Sequence, residues 1–436
     1  MITQLFKNSD LPKESWESSV RSNIAEMTGE HNKKEEINKE LLKGKEASIV
    51  KIMDSIIESG YRNKASDIHI DPREKDLRVR FRIDGVLKES FSLPKMVHNE
   101  VISRIKVLSR LRTDEHQATQ DGRFRHDFPE TNEFIDLRVS IVPTYHGENA
   151  VMRILSDKAE EYSLESLGFS ESDSRKIKTA LKKTGGMILS TGPTGSGKTT
   201  TLYTLIKMLN SQERSIVTIE DPIEYAVENI EQIQVNAKAG LTFANGLRSV
   251  LRQDPNIIMV GEIRDSETAG IAVNTALTGH LLLSTLHTND APTTLPRLLD
   301  MGIEEYLVAS TISLIIGQRL ARKICARCKE KTKVTDLEKE SLLETPLGEL
   351  IESGEIIYRG MGCRECGGSG YSGRICVNEV LVANEKIKEA ILRKATSLEI
   401  KNLAKSQGMT TMIEDGLKKI REGMTTIEEV LRVIHE

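Results

Sequence analysis

The spacing of the hydrophobic positions changes along the chain and predicts where its folded parts begin. Residues 49–57 carry apolar side chains at helical spacing, so we expect a folded part to begin at residue 47. Residues 77–83 instead alternate between apolar side chains and arginines and end at the pair Asp84-Gly85. Such an alternation before a turn-forming pair predicts a β-hairpin.

Further elements complete a first domain. A helical pattern lies near residues 101–111, and strand patterns follow at 134–142 and 150–155. Residues 1–46 carry charges of both signs with little apolar periodicity, which predicts a loosely ordered or helical arm. After this arm we expect a small α+β domain over residues 47–156.

A different pattern starts at residue 164. Short apolar stretches typical of buried strands lie at residues 187–189, 216–219, 257–260 and 281–283. They alternate with helical patterns, which predicts an α/β domain over residues 164–320 with a parallel sheet covered by helices. Residues 321–376 carry the cysteines, and residues 377–436 predict a helical C-terminal region.

Composition limits the classes of function. The 436 residues have a net charge of −4 at pH 7, and 4% of them are aromatic. This balance argues against a nucleic-acid-binding surface, which needs basic tracks and often stacking rings, so we expect no nucleic acid as partner. The chain lacks a run of roughly 18 apolar residues and a secretory signal pattern. We therefore expect a cytosolic protein with no transmembrane segment of its own and with reduced thiols.

A glycine-rich segment lies between the strand pattern at 187–189 and a helical pattern. It consists of Gly192, Pro193, Thr194, Gly195, Ser196, Gly197, Lys198, Thr199 and Thr200. This is the phosphate-binding motif G-x-x-x-x-G-K-[ST] in its required setting between strand and helix. Backbone N–H groups would surround phosphate oxygens, Lys198 would reach the β- and γ-phosphates, and Thr199 would ligate Mg²⁺. The segment predicts ATP and Mg²⁺ as ligands, with a structural glycine-rich turn as the alternative.

A carboxylate follows the strand pattern at 257–260. Glu262 is the candidate base that would orient or deprotonate the attacking water, because the strand brings it to the edge where ligands of open α/β sheets bind. The acid usual for magnesium contact is replaced by Gly261. The alternative for Glu262 is a strand-end carboxylate paired with Arg264.

Two further polar sets occur at strand ends. Glu220, Asp221 and Glu224 follow the pattern at 216–219, and they would position metal or water, or be solvated acids before a proline turn. His280 and His287 flank the pattern at 281–283. A lone histidine is more often a core or turn residue than a functional one, and that is the alternative for both positions.

The cysteines form two C-x-x-C pairs. Cys325 and Cys328 make the first, and Cys363 and Cys366 the second. Four thiolates at such spacing suit one closed tetrahedral Zn²⁺ site, with reduced free thiols as the alternative. Cys376 lies in an apolar strand pattern and is expected to be a buried thiol without metal.

These motifs occur together in an order that resembles one family. Besides the phosphate loop, the sequence contains ASDIHIDP, FRIDGVL, QDGRF, TIEDPIEY, GLRSVLRQDPNIIMVGEIRD and TGHLLLSTLHTND. Over about residues 48–436 the chain resembles the secretion ATPases of type II secretion and type IV pilus assembly, the GspE/PulE/PilB family. The resemblance implies a RecA-like P-loop NTPase core preceded by a small PAS-like domain, and it implies the zinc element that assembly members of this family carry.

The resemblance also assigns roles to matching positions. It implies that Glu220, Asp221 and Glu224 form an aspartate box that contributes to nucleotide binding. It places His280 and His287 in a histidine box, with His287 counted among the catalytic residues.

Further catalytic roles are implied in the same way. Glu262 takes an atypical Walker B role, for which Gly261 is expected. Arg138 and Arg153 match the arginines by which the preceding domain reaches the γ-phosphate. Their alternative is a solvated or salt-bridged strand face.

The function implied is a cytoplasmic ATP-hydrolysing motor. It would form a homohexamer beneath an inner-membrane platform protein and add pilin-like subunits to a type IV pilus or a type II secretion pseudopilus. The 1–46 arm is shorter than the docking domain of many members, so the mode of membrane attachment stays open. The alternatives are a nucleic-acid translocase or DNA-uptake motor, since such machines share P-loop sheets, and a nucleotide-gated scaffold without turnover.

Overall fold

A computed structural model describes residue 37 and residues 48–128, 131, 133–155 and 162–435. The chain divides into two compact units. The first is Met1–Ala159 with Gly362–Ser369, and the second is Glu160–Met361 with Gly370–Glu436. The arm expected at residues 1–46 lies outside the described residues, apart from the buried Ile37.

The first unit is built on a six-stranded antiparallel sheet in the order β3-β2-β1-β6-β5-β4. Its strands are β1 (Ala65–Pro72), β2 (Asp76–Ile83), β3 (Val86–Pro94), β4 (Gln120–Phe128), β5 (Glu133–Thr144) and β6 (Gly147–Leu155). Its described helices are α1 (Ile49–Arg62) and α2 (His98–Leu108), with a 3₁₀ turn at Lys95–Val97. The apolar faces of the helices and alternate strand positions bury one core.

The hairpin predicted around Asp84-Gly85 is confirmed. Ile83 of β2 pairs with Val86 of β3, and only two residues connect the strands. Asp84 and Gly85 both have positive φ, 50° and 85°, as this short turn requires.

The second unit contains a seven-stranded sheet in the order β15-β12-β7-β11-β10-β8-β9. The strands of this unit are β7 (Gly186–Thr191), β8 (Ile216–Glu220), β9 (Glu231–Gln234), β10 (Ile257–Val260), β11 (Leu281–Leu286), β12 (Ile312–Ile324), β13 (Lys329–Lys333), β14 (Ile356–Gly360) and β15 (Tyr371–Val382). Neighbouring strands of the large sheet are parallel, except that β15 runs antiparallel to β12. The predicted parallel sheet is therefore confirmed.

Helices cover this sheet on both faces. The described helices of this unit are α3 (Leu164–Leu167), α4 (Glu171–Ala180), α5 (Lys198–Leu209), α6 (Phe243–Val250), α7 (Ser266–Leu277), α8 (Thr294–Asp300), α9 (Glu305–Thr311), α10 (Asp336–Leu342), α11 (Glu385–Leu392), α12 (Ser397–Ser406), α13 (Met412–Arg421) and α14 (Ile427–His435), with a 3₁₀ turn at Ala237–Ala239. On β7, Met187 and Leu189 belong to one core cluster and Ile188 to another. Because successive side chains of a strand point to opposite faces, both faces are buried, and the strands read as continuous apolar runs.

The cysteine-bearing segment leaves the large sheet between β12 and β15. These strands pair from Leu314↔Val382 to Ile324↔Tyr371, so the expected limits of the segment, residues 321 and 376, lie inside them. The strands continue that far because Ala321 and Cys376 are buried in the sheet. Strands β13 and β14 form a separate two-stranded sheet. No helix of the described ranges is long and apolar enough to cross a membrane.

Candidate functional site

The glycine-rich loop joins the end of β7 to the start of α5. Gly192, Gly195 and Gly197 have positive φ of 147°, 79° and 89°. A Cβ at Gly192 would lie 2.5 Å from the carbonyl oxygen of Gln318, so a side chain there would collide with backbone. Glycine is therefore required by both conformation and space, which is the condition for backbone to wrap closely around a ligand.

Lys198 begins α5 and turns back over the loop. Its Nζ donates hydrogen bonds of 2.9 Å to the carbonyl oxygens of Gly192 and Pro193. Burial lowers the pKa of Lys198 to about 8, opposed in part by the charge of Glu262. Thr199, in the first turn, is exposed.

The loop suits a phosphate group. The Oγ of Ser196 is buried and has no hydrogen-bond partner among the described residues. This hydroxyl is a buried donor without an acceptor, next to a buried ammonium and a helix N-terminus, and an anion would supply the missing acceptor in a site that favours negative charge. The residues present therefore fit the phosphates of a nucleotide.

Glu262 lies two residues beyond β10, at the same edge of the sheet. One carboxylate oxygen is 2.5 Å from Nη2 of Arg264, and the other is 3.4 Å from Nε2 of His287. His287 directly follows β11, the strand between β10 and β7. The pKa of His287 is lowered, first by burial and then by the charge of Lys198. The neutral imidazole and the guanidinium thus hold the Glu262 carboxylate at this edge.

His280 lies elsewhere. It precedes β11, and its Nδ1 is 3.1 Å from the carbonyl oxygen of Thr275. The six residues of β11 lie between it and His287, so the two histidines are seven residue steps apart, about 23 Å at roughly 3.3 Å per residue. The structure brings His287 to Glu262 and leaves His280 at the opposite end of the strand.

The acidic segment that begins at the last residue of β8 contains two kinds of carboxylate. Glu220 is buried and accepts hydrogen bonds from the Tyr203 hydroxyl and from Nε2 of Gln232, the latter at 3.2 Å. Burial, followed by the contact with Glu220, raises the pKa of Tyr203. Asp221 and Glu224 are exposed. Glu220 therefore anchors the segment, and the exposed acids are the ones that a solvent-borne ligand can reach.

The predicted arginines of the first unit share one row across its sheet. Arg138 of β5 pairs with Arg153 of β6 and, on its other side, with Arg123 of β4. Arg153 continues the row to Asp67, whose Oδ1 lies 3.1 Å from its Nε. Arg138 and Arg153 are exposed. Sequence reasoning did not single out Arg123, although it lies within the QDGRF motif, because only strand register places it beside Arg138.

Comparison with known proteins identifies the family. The sequence model of the Type II/IV secretion system protein family matches residues 43–432. The chain belongs to this family. The predicted family and RecA-like fold are therefore confirmed.

Relatives with assigned names come from both systems. Type II secretion system protein E of Xanthomonas campestris is 46% identical over 391 residues, which are 90% of this chain and 68% of that protein. Type IV pilus assembly ATPase PilB of Thermus thermophilus is 45% identical over 386 residues, covering 88% of this chain. The chain spans only 43% of the length of that PilB. The crystal structure of the pilus retraction motor PilT with bound ADP matches at 26% identity and a TM-score of 0.59, covering 87% of this chain and 96% of PilT.

This secretion-system chain also gathers its four paired cysteines. The sulfur atoms of Cys325, Cys328, Cys363 and Cys366 all lie within 4.8 Å of one another. The Cys366 sulfur also accepts a hydrogen bond of 3.1 Å from the backbone N–H of Cys363. Four sulfur donors at this spacing fit a soft tetrahedral metal such as Zn²⁺. Cys376 lies apart, and burial raises its thiol pKa to about 12.

Proposed function

We propose that this chain is an ATP-hydrolysing motor that powers assembly of a type IV pilus or a type II secretion pseudopilus. The observation that carries the proposal is that the phosphate loop with Lys198 follows β7, while His287 and Glu262, 3.4 Å apart, follow the neighbouring strands β11 and β10 at the same edge of the sheet. A charge-binding loop beside a held carboxylate is the arrangement that nucleotide hydrolysis needs. The names of the relatives supply the biological process.

Each residue has a task in the proposed reaction. The loop N–H groups and Lys198 bind the β- and γ-phosphates, and Lys198 exchanges its carbonyl partners for phosphate oxygens. Thr199 and the exposed acids Asp221 and Glu224 are the residues that would hold Mg²⁺, which would neutralise phosphate charge. Glu262 positions the attacking water, and His287 orients Glu262.

The arginine row completes the proposed site. Arg138 and Arg153, together with Arg123, would stabilise charge on the transferred phosphoryl group once ATP is bound. Their exposure and their alignment on one strand face support this role. The domains would then change between two arrangements as the γ-phosphate binds and is released.

The larger assembly is proposed on the same basis. A cytoplasmic homohexamer would act on an inner-membrane platform protein, with ATP and Mg²⁺ as substrate and cofactor and Zn²⁺ in the tetracysteine element. The family resemblance and the PilB and protein E relatives support this assembly.

The reaction is tested with Glu262→Gln. This variant should bind ATP with near wild-type affinity, because Lys198 and the loop are unchanged. Its turnover should fall about 10² to 10⁴-fold, the usual contribution of a general base. The measurements are nucleotide binding by fluorescence titration and phosphate release by the oligomer.

Two controls accompany this test. Glu267→Gln removes an exposed carboxylate that pairs with Arg248 at 2.7 Å, and it should keep wild-type turnover. Lys198→Ala should lose nucleotide binding. Wild-type turnover in Glu262→Gln would remove Glu262 from the mechanism, and turnover stimulated by DNA would favour a nucleic-acid motor instead.

A further inference from the structure

Gln318 is a buried polar residue next to the phosphate loop. It lies on β12, where the preceding residue Gly317 pairs with Thr191, the last residue of β7. Its side chain is 1% exposed. Buried amide groups are normally hydrogen-bonded, so the hydrogen-bond partners of Gln318 indicate which part of the structure it supports.

Both ends of the Gln318 amide bind the segment that carries the loop. Its Oε1 accepts a hydrogen bond of 3.2 Å from the hydroxyl of Ser190, just before the loop. Its Nε2 donates one of 2.8 Å to the carbonyl oxygen of Ser196, inside the loop. The amide therefore bridges the two sides of the loop.

The same residue explains two of the loop glycines. The carbonyl oxygen of Gln318 would lie 2.5 Å from a Cβ at Gly192, and its Nε2 would lie 3.1 Å from a Cβ at Gly197. The loop thus packs directly onto Gln318, and a side chain at Gly192 or Gly197 would push the loop away from Gln318.

The hydrogen bond to Ser196 also sets a peptide orientation. In a trans peptide the C=O of Ser196 and the N–H of Gly197 point in opposite directions. When Gln318 holds that carbonyl oxygen, the Gly197 N–H points away from β12. We propose that Gln318 is a positioning residue that keeps the loop N–H groups directed at the phosphates. This inference rests on the proposed nucleotide binding.

The chain offers a matched control. Asn378 of β15 pairs directly with Gln318 across the two strands and is 0% exposed. Its Nδ2 donates a hydrogen bond of 3.3 Å to the carbonyl oxygen of Gly168, and within the described residues it makes no hydrogen bond to the loop. Asn378→Leu therefore removes an equally buried amide without changing the loop's support.

The experiment compares Gln318→Leu, Gln318→Glu and Asn378→Leu in the full chain. The probe is fluorescent ADP, with its Kd measured beside the Tm of each variant. Gln318→Glu keeps an acceptor for Ser190 but cannot donate to Ser196. Both Gln318 variants should raise the Kd about tenfold or more, whereas Asn378→Leu should lower the Tm and keep the Kd within about twofold.

The outcomes separate the two proposals. ADP binding by neither wild type nor variants would overturn the proposed function. Tight binding by wild type and equally tight binding by Gln318→Leu would overturn only the role of Gln318. If the Gln318 variants fail to fold, Ser190→Ala removes one anchor of the bridge and should raise the Kd about threefold. An unchanged Kd in Ser190→Ala would also contradict the inference.

Discussion

At the scale of residues, burial and neighbours decide which polar side chains can do chemistry. Glu220 is the last residue of β8 and Glu262 follows β10, both parallel strands, yet Glu220 is enclosed by Tyr203 and Gln232. Glu262 instead contacts the exposed Arg264 and the partly exposed His287. The first arrangement fixes a loop, and the second presents a carboxylate at the ligand-binding edge.

A pH-dependent stability is expected from Glu379. This side chain is 1% exposed on β15, and burial raises its pKa from 4.5 to about 7, opposed in part by the N–H of Ala291 at 2.8 Å. Between these values the folded protein keeps a proton that the unfolded chain has lost. The stabilisation is therefore complete below pH 4.5 and is lost as the pH rises through about 7.

Glu379→Gln checks this expectation. Relative to the variant, the wild type should lose unfolding free energy between pH 5 and pH 8, by at most about 1.4 kcal/mol per pH unit. Urea denaturation at several pH values measures it. A difference in unfolding free energy between wild type and Glu379→Gln that does not change with pH would contradict the raised pKa of Glu379.

At the scale of elements, the C-terminal helix shows where sequence spacing is ambiguous. Thr425 and Glu428 have the spacing of a capping box, but the structure does not use them as one. The Thr425 hydroxyl donates to the Arg322 carbonyl oxygen at 2.8 Å, and Thr426 caps Glu429 N–H at 3.4 Å. Thr425 with Glu428 and Thr426 with Glu429 both have the spacing of a capping box. In the structure Glu429 pairs with Arg322, and the helix is capped by Thr426.

The ion pair between α14 and β12 should stabilise the second unit. Glu429 is 2% exposed and lies 2.7 Å from Arg322 and 2.9 Å from Arg432. These partners overcome burial and lower the pKa of Glu429 to about 2. Glu429→Ala would take the carboxylate partner from the half-buried Arg322 guanidinium, so it should cost about 3 kcal/mol of unfolding free energy.

Urea denaturation at neutral pH measures this cost. The matched control is Glu428→Ala, whose carboxylate lies 3.4 Å from Arg359 at a more exposed position, and it should cost about 1 kcal/mol or less. Equal losses of unfolding free energy in the two variants would show that the burial of Glu429 does not increase the contribution of its ion pairs to stability.

The tetracysteine element should hold one Zn²⁺ per chain. Cys363→Ser removes one of four sulfur donors and should abolish stoichiometric zinc and lower the Tm, because a structural metal stabilises the fold that binds it. Metal analysis of the purified protein measures the zinc content. Cys376→Ala should keep the metal, since that thiol lies apart from the cluster. Wild-type protein without zinc would leave the four cysteines as free thiols.

At the scale of the whole molecule, the chain combines two compact units with different chemistry. The second carries the phosphate loop and Glu262, and the first carries the arginine row. Neither unit by itself holds all the groups that the proposed reaction uses. Turnover should therefore depend on residues of both units, whereas ADP binding should depend mainly on the second.

Arg138→Ala tests this division. It should reduce ATP turnover about 10³-fold or more, as removal of an arginine that stabilises transferred charge does in related NTPases. The affinity for ADP should stay near wild type, because ADP lacks the γ-phosphate. Arg73→Ala, an exposed arginine 3.6 Å from Glu89 in the same unit, is the control and should keep full turnover. Unchanged turnover in Arg138→Ala would exclude this arginine from the reaction.

The sequence by itself determined the elements and the local motif. Continuous apolar runs at 187–189 and 257–260 require a sheet buried on both faces, and the glycines around Lys198 require a tightly curved loop. These signals are local, because the spacing of apolar side chains and the backbone freedom of glycine are both properties of short stretches of sequence. They were sufficient to predict the fold, the loop and the family.

Only the tertiary structure decided which distant residues meet. Strand order brings His287 to Glu262 and takes His280 to the far end of β11. Register aligns Arg123 with Arg138, and the pairing of β12 with β7 places Gln318 against the loop. Sequence spacing carries no record of these contacts, because they depend on which strands become neighbours and on the offset at which they pair.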